Sequence, residues 1–252
     1  MLKDHNCGEL RVSEVGQEVK LAGWVESLRL QGKIGFLLLR DSTGIVQCFL
    51  NPNIAAQLKD VSRESIVAVI GKVNKRPDNQ IKKEMATGKV ELEAMEATIV
   101  NLAETPLPIN IDLDTTTGLD KRLDYRFLDM HRAKVQAVFK IQNEVANAFR
   151  EHFYKKGFIE MQPPCIISAA SEGGTELFSV KYFEKDAYLA QSPQLYKQML
   201  ACSMEKIVLI TPVWRAEKHN TPRHINEIRQ MDIEVAFMDQ MEIMKQQEEC
   251  VK

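Results

Sequence analysis

The chain has 252 residues, which is enough for one large domain or two modest domains. Lysine and arginine number 33 against 35 aspartate and glutamate residues, so any contact with nucleic acid must come from local basic patches rather than from net charge. The five cysteines are odd in number and lack C-x-x-C spacing, which argues against a disulfide framework and a zinc site and favours a reducing compartment.

The first residues, MLKDHNCGEL, lack the apolar core of a signal peptide. No run of 18 apolar residues follows anywhere in the chain. We therefore expect a soluble, cytoplasmic protein that has no membrane partner, and the charge balance gives no reason to expect DNA.

The N-terminal part carries the pattern of a small β-barrel. Five short apolar segments separated by glycine-containing turns run from Val19 to Val100, and Asn53–Leu58 is compatible with a brief helix. Strands of this number and length are typical of an OB fold, a closed barrel that binds single-stranded nucleic acid on one face. A generic β-barrel or an SH3-like module would give a similar string.

An aromatic residue and an amide lie in neighbouring predicted strands of this barrel. Phe36 could stack on a splayed base and Gln47 could read the edge of that base, although an aromatic residue in a strand more often belongs to the core. Basic residues near these strands could bind phosphates or could simply form a solvated charged surface. They are Arg29 and the cluster Lys72, Lys75, Arg76, Lys82 and Lys83.

The composition changes near Leu102. Two prolines and a threonine-rich tract follow, which predicts a linker or hinge over residues 105–131. We therefore predict a first domain at residues 1–104 and a second at residues 132–252.

Helical periodicity begins near Ala133, and Gly157 supplies the expected stop. An apolar stripe runs along this predicted helix and comprises Val135, Val138, Phe139, Val145, Ala146, Phe149 and Phe153. On pattern alone, such a helix is ordinary core material.

Two segments of the second domain could bind a small charged substrate. The first, Ser171–Thr175, has adjacent glycines that would allow a lid to close, and Glu172 could then pair with an ammonium, although a plain turn is the alternative. In the second segment, Ser192 and Pro193 predict the start of a helix.

Gln194 and Lys197 would project from one side of the first turn of that helix. The helix dipole favours an anion at this end, so a bound carboxylate would explain the lysine.

Strand patterns return at Ile207–Ile210, Val213–Glu217 and Asp232–Phe237, with a polar loop at Lys218–Pro222. Antiparallel pairing would gather four polar side chains that flank the loop, namely Arg215, Glu217, Arg223 and His224. Guanidiniums bind phosphate oxygens and a carboxylate accepts from an amine, so the set suits a nucleotide triphosphate. A hairpin with solvated charges is the alternative.

The segment WRAEKHNTPRH followed by MDIEVAF resembles motif 2 of the class II aminoacyl-tRNA synthetases, in particular the aspartyl and asparaginyl branch. The resemblance implies that Arg215 contacts the α-phosphate of ATP and the carboxylate of the substrate. It further implies that Glu217 contacts the adenine amine and that Arg223 and His224 contact the outer phosphates. Asp232 would face the α-ammonium of the amino acid.

Two other segments resemble the amino-acid site of this family. SEGGTELF is similar to its mobile loop, which implies a substrate contact for Glu172, and QSPQLYK is similar to the segment that binds aspartate. The second likeness implies that Gln194 holds the α-ammonium and Lys197 pairs with the β-carboxylate. Because a desolvated lysine facing a neutral amide would lose its charge partner, Lys197 favours aspartate over asparagine.

The remaining likenesses concern tRNA and assembly. GWVESLRLQGKIGFLLLRDSTGIVQCFL resembles the anticodon-binding barrel of aspartyl-tRNA synthetases, which implies that Phe36 and Gln47 read the central anticodon uridine. The predicted helix together with GFIEMQPPCI is similar to motif 1, which builds the class II dimer interface, so the resemblance implies a homodimer.

We therefore predict an α+β chain, in which an OB-fold barrel precedes an incomplete class II antiparallel sheet with flanking helices. In the implied reaction, L-aspartate attacks the α-phosphate of ATP, which gives aspartyl-adenylate and releases pyrophosphate, and the aspartyl group is then transferred to tRNA. Mg²⁺ would assist, and we expect no metal ligand in this chain. An asparaginyl-tRNA synthetase and a non-catalytic tRNA-binding paralogue are the alternatives.

The glycine-rich motif 3 of the family is not found in the sequence, so we expect a truncated synthetase. The isolated 252-residue chain should accordingly form no aspartyl-adenylate. Aspartate-dependent exchange of pyrophosphate into ATP by this chain, above the rate without aspartate, would contradict that expectation.

Overall fold

The computed structural model describes residues 1–112, 116–171, 176–219, 221 and 223–252. The chain divides into two units. Met1–Asn110 with Thr116–Lys121 forms the first unit, and Arg122–Lys252 with the short segment that starts at Ile111 forms the second. Two short helices, α2 (Leu119–Asp124) and α3 (Arg126–Asp129), lie within the segment interpreted as a hinge.

The first unit contains the predicted closed barrel, in the strand order β1-β2-β3-β5-β4. Its strands are β1 (Glu18–Gln31), β2 (Ile34–Asp41), β3 (Gly44–Leu50), β4 (Ile66–Lys75) and β5 (Val90–Asn101). Antiparallel pairing of β1 with β4 closes the barrel, while β3 and β5 pair in parallel. The brief helix α1 is Pro52–Gln57, and the Asn51 side chain caps it by accepting from the Asn53 and Ile54 N–H groups.

The apolar residues of the barrel strands alternate between inside and outside, as the two-residue period of a strand requires. On β2, Leu37 and Leu39 are fully buried in the barrel core, while Phe36, Leu38 and Arg40 lie on the outer face and are partly exposed. The alternation therefore places Phe36 on the outer surface of the barrel, where a ligand could reach it.

Asp41 at the end of β2 anchors the N-terminal segment to the barrel. Its carboxylate accepts hydrogen bonds from the Cys7 N–H at 2.9 Å, from the Thr43 N–H at 2.9 Å and from the Thr43 hydroxyl at 2.6 Å. Burial alone would raise the pKa of Asp41, but these bonds and the Lys3 ammonium outweigh it and lower the pKa to about 2.

In the described part of the second unit there are three helices of at least three turns and two small sheets. The helices are α4 (Ala133–Lys155), α5 (Gln194–Met204) and α6 (Gln240–Val251). The strands are β6 (Ile159–Glu160), β7 (Ile166–Ile167), β8 (Ser179–Tyr182), β9 (Lys185–Leu189), β10 (Lys206–Trp214) and β11 (Glu227–Val235). The sheet orders are β11-β10-β6 and β7-β9-β8.

The predicted strand bounds around Pro212 were wrong. One strand, β10, runs through Pro212, and its partner β11 begins at Glu227 and ends before Phe237. Proline is tolerated because the N–H of Trp214, two residues on, donates to the Ala190 carbonyl and not to β11. The missing N–H of Pro212 therefore lies on that same edge, and no bond to β11 is lost.

The two faces of the β10–β11 pair are covered by different helices. Val208, Ile233 and Val235 pack against Phe149 and Phe153 of α4 and Cys250 of α6. The opposite face packs Ile207 and Leu209 against the α5 residues Tyr196, Leu200 and Ala201. Because neighbouring strand residues face opposite sides, Asp232 and Glu234 point toward α5.

The apolar stripe predicted on α4 is only partly buried. Val135 and Phe153 are buried, whereas Val138, Phe139 and Val145 are about half exposed. The stripe extends beyond the part of the helix that contacts the sheet. Among the described residues, no helix is long and apolar enough to cross a bilayer.

Asp41 should give the first unit a measurable pH dependence. Because its folded pKa of about 2 lies below the ordinary value of 3.8, the stability it contributes is present above pH 4 and is lost as the pH falls toward 2. We predict that Asp41→Asn lowers the free energy of unfolding by about 1–3 kcal/mol at neutral pH. The difference from the unsubstituted chain should shrink between pH 4 and pH 2.

Urea unfolding monitored by Trp24 fluorescence measures this difference. A Trp214→Phe background removes the other tryptophan, so that the fluorescence reports the unfolding of the barrel alone. The matched control is Asp78→Asn, because Asp78 is an exposed residue of the same unit. A difference for Asp41→Asn that stays constant down to pH 2 would contradict the assignment.

Candidate functional site

A buried cluster of charged side chains lies between α5 and β11. The Lys197 ammonium is 3.0 Å from Asp232 Oδ2 and 3.5 Å from Glu234 Oε2. The Lys197 side chain is only 9% exposed, and those of Asp232 and Glu234 are 15% and 24% exposed. One ammonium thus faces two carboxylates, and the cluster carries a net charge of −1.

The start of α5 determines which side chains join this cluster. The Ser192 hydroxyl accepts a hydrogen bond from the Gln194 N–H at 3.1 Å, but the helix begins at Gln194, one residue later than predicted, with Pro193 in the N-cap position. Gln194 and Lys197 lie one turn apart on the same side. The Gln194 amide accordingly reaches Glu234 Oε2, at 3.4 Å.

Gln230 extends the same row of β11. Its Nε2 donates to Asp232 Oδ1 at 3.1 Å, and its Oε1 is buried without a hydrogen-bond partner among the described residues. Buried acceptors of this kind are normally satisfied, so a donor from a ligand would complete the site. Neither Gln230 nor Glu234 was predicted from the sequence, although their two-residue spacing from Asp232 places all three residues on one strand face.

The four residues predicted to bind a nucleotide lie in the connection between β10 and β11. Arg215 directly follows β10, its N–H donates to the Asn226 carbonyl, and its Nε is buried without a partner among the described residues. The Asn226 side chain donates to the Arg215 and Glu217 carbonyls at 2.8 and 3.0 Å and so braces this connection. Arg223 and His224 are exposed.

The roles of these four residues in nucleotide binding stay predictions. Arg215 offers an unpaired buried N–H to an incoming anion, and Arg223 and His224 offer exposed donors. Glu172, the predicted contact of the mobile loop, lies outside the described residues.

The outer face of the barrel carries an aromatic pair. Phe36 is paired in register with Arg29 on β1 and with Phe49 on β3, so the three residues form one row across three strands. The Phe36 and Phe49 rings meet edge to face with centroids 5.8 Å apart. Phe49 was not predicted from the sequence to belong to this surface.

Gln47 lies two residues from Phe49 on the same face, and its amide is held from both sides. Gln47 Nε2 donates to Glu91 Oε2 at 3.2 Å, and the Lys82 ammonium donates to Gln47 Oε1 at 2.9 Å. Arg76 from the predicted basic cluster is buried and donates to the Val90 carbonyl, and burial lowers the pKa of its guanidinium. Arg76 is therefore a structural residue rather than an exposed phosphate contact.

No group of three or more histidine, cysteine, aspartate or glutamate side chains that could hold a metal ion occurs in the described part of the chain.

Each of the two parts of the chain matches a known family model. A family model for class II tRNA synthetases (D, K and N) matches residues 118–252, and a model for the OB-fold nucleic acid binding domain matches residues 19–100. The second match confirms that the N-terminal barrel is an OB fold.

Curated relatives cover nearly all of the chain. An aspartate–tRNA(Asp/Asn) ligase of Methanocaldococcus jannaschii is 42% identical over 96% of this chain and 55% of its own length. An aspartate–tRNA(Asp) ligase of Thermococcus kodakarensis is 43% identical over 97% of this chain and 56% of its own length. The chain thus spans about half the length of the curated relatives it matches.

Solved structures of synthetases likewise align over nearly all of this chain and over about half of their own length. An asparaginyl-tRNA synthetase from Pyrococcus horikoshii complexed with asparaginyl-adenylate aligns with a TM-score of 0.89 and 36% identity, over 100% of this chain and 57% of that one. An aspartyl-tRNA synthetase from Entamoeba histolytica aligns with a TM-score of 0.82 and 26% identity, over 99% of this chain and 54% of that one.

Proposed function

Because the chain belongs to the class II tRNA synthetases of the D, K and N group, we propose that the protein containing it is an aspartate–tRNA ligase. Such an enzyme activates L-aspartate with ATP to aspartyl-adenylate and then transfers the aspartyl group to tRNA. The names of the curated relatives support the choice of aspartate, with tRNA(Asp) or both tRNA(Asp) and tRNA(Asn) as acceptor.

The observation that carries the choice of amino acid is the buried ammonium of Lys197. A buried charge is stable only when it is paired, and here it is paired with carboxylates. The β-carboxylate of aspartate can replace such a partner, whereas the amide of asparagine cannot. Shape would separate these nearly isosteric side chains poorly, so charge must do so.

Asp232 and Gln194 complete the proposed amino-acid site. Asp232 is held by Lys197 and by the Gln230 amide, and its carboxylate is the acceptor proposed for the α-ammonium. Gln194 projects from the same turn of α5 as Lys197. Glu172, which lies outside the described residues, remains a proposed contact of the substrate.

For ATP we propose the connection that follows β10. Arg215 would bind the α-phosphate and the substrate carboxylate, and its unpaired buried Nε supports an anionic partner. Glu217 would accept from the adenine amine, while Arg223 and His224 would contact the outer phosphates. The arginines would stabilise the charge that develops at the α-phosphate, so Arg215 and Arg223 are the proposed catalytic residues. Mg²⁺ accompanies ATP in this proposal, and no residue of this chain is assigned to hold it.

For tRNA we propose the outer face of the barrel. Phe36 would stack on an anticodon base, and Gln47, already oriented by Glu91 and Lys82, would read its edge. Arg29 lies in the same cross-strand row as Phe36 and would contact a phosphate.

A homodimer and a cytoplasmic location belong to the same proposal. The exposed apolar residues Val138, Phe139, Ile141 and Val145 of α4 support a partner on this helix, since exposed apolar patches commonly mark interfaces.

The likeness to the asparaginyl-tRNA synthetase of Pyrococcus horikoshii makes an asparagine-specific ligase the second candidate. The two candidates differ in whether the bound side chain carries a charge opposite Lys197.

Replacement of Lys197 tests the choice of substrate. In the full-length gene product, we predict that Lys197→Met lowers kcat/KM for aspartate-dependent ATP–pyrophosphate exchange about 100-fold, because a buried charge-assisted contact is lost. Lys181→Met, which removes an exposed lysine, should leave the exchange unchanged. Exchange driven by asparagine but not by aspartate in the unsubstituted protein would instead establish the second candidate.

Replacement of Phe36 tests the tRNA surface. Base stacking on an aromatic ring contributes about 1–3 kcal/mol, so Phe36→Ala should weaken binding of the cognate tRNA about tenfold in a filter-binding titration. Amino-acid activation should not change. Met95→Ala removes an exposed apolar side chain from another strand of the same barrel and should bind tRNA normally. Equal affinities for all three proteins would rule out this surface.

A further inference from the structure

Glu234 contacts the donor that the proposed function reserves for the β-carboxylate of the substrate, which is the Lys197 ammonium. Its Oε2 lies 3.4 Å from the Gln194 amide and 3.5 Å from the Lys197 ammonium. One oxygen atom of a carboxylate is thus shared between the two side chains proposed to hold aspartate. No role was assigned to Glu234 by the sequence.

Neutralising Lys197 does not require Glu234. Asp232 is already 3.0 Å from the ammonium and matches its single charge. A second carboxylate at this place makes the cluster net negative, which opposes the entry of a substrate carboxylate. Glu234 therefore costs affinity for aspartate unless it moves away when the substrate binds.

The position of Glu234 allows such a movement. Its side chain is 24% exposed, while that of Lys197 is 9% exposed, so the carboxylate reaches the cluster from the more open side. Its contacts with Gln194 and Lys197 are longer than the 3.0 Å contact of Asp232. Glu234 is accordingly the weaker of the two carboxylate partners of Lys197.

We propose that Glu234 is an internal competitor of the substrate: its carboxylate takes the place of the substrate β-carboxylate at Lys197, and aspartate binds by displacing Glu234 from Lys197 and Gln194. This inference rests on the proposed function. While the site is empty, Glu234 is a second carboxylate partner of the buried lysine, beside Asp232. Its removal from the donors is part of the free energy of aspartate binding.

The test is Glu234→Gln in the full-length gene product, assayed by aspartate-dependent ATP–pyrophosphate exchange. Since a partly exposed ion pair contributes little, we expect the KM for aspartate to fall about fivefold. The kcat and the KM for ATP should stay the same, because the protein with aspartate bound no longer uses the contact. Glu234→Ala should shift the KM for aspartate in the same direction.

The matched control is Glu227→Gln on the same strand, since Glu227 is exposed and pairs with the exposed Arg229. Its kinetic constants should equal those of the unsubstituted protein. Thermal unfolding of every variant establishes that it is folded.

A higher KM for aspartate in Glu234→Gln would show that Glu234 supports the bound substrate. An unchanged KM would show that Glu234 does not compete with the substrate for Lys197. Either result overturns the inference alone. An unsubstituted protein that does not use aspartate overturns the proposed function and the inference together.

Discussion

The pairing of the Lys197 ammonium is the interaction on which the proposed amino-acid site depends. A lysine that is almost fully buried must have carboxylate partners, because an unpaired charge in that position would destabilise the fold or lose its proton. Those partners come from β11, more than 30 residues further along the chain. The contact therefore fixes the start of α5 against the β10–β11 pair.

One face of β11 packs into the apolar core, and the other carries the polar side chains of the proposed site. Ile233 and Val235 pack with α4 and α6, while Asp232 and Glu234 point to α5. The antiparallel register holds this division, since a shift by one residue would exchange the two sets. The pairing of β10 with β11 therefore determines both the apolar face and the polar face.

Local patterns predicted much of the molecule. Alternation and glycine-containing turns are short-range signals, and they predicted all five strands of the barrel. The spacing of Gln194 and Lys197 predicted that they share one side of α5, because three residues make almost one helical turn. The barrel fold and the membership of the class II synthetases were both confirmed.

Features that depend on tertiary pairing were not predicted. Glu234 and Gln230 enter the cluster only because β11 lies beside α5, and Phe49 joins Phe36 only through the β2–β3 register. The continuation of β10 through Pro212 depends on which edge of the strand lacks a partner. None of these relations has a signal within a short window of sequence.

The most direct test of the account is a crystal structure of the full-length gene product with L-aspartate bound. The account predicts the β-carboxylate within hydrogen-bond distance of Lys197 Nζ, the α-ammonium beside Asp232, and Glu234 displaced from Gln194 and Lys197. Aspartate bound elsewhere, with Lys197 still held by Asp232 and Glu234, would contradict it.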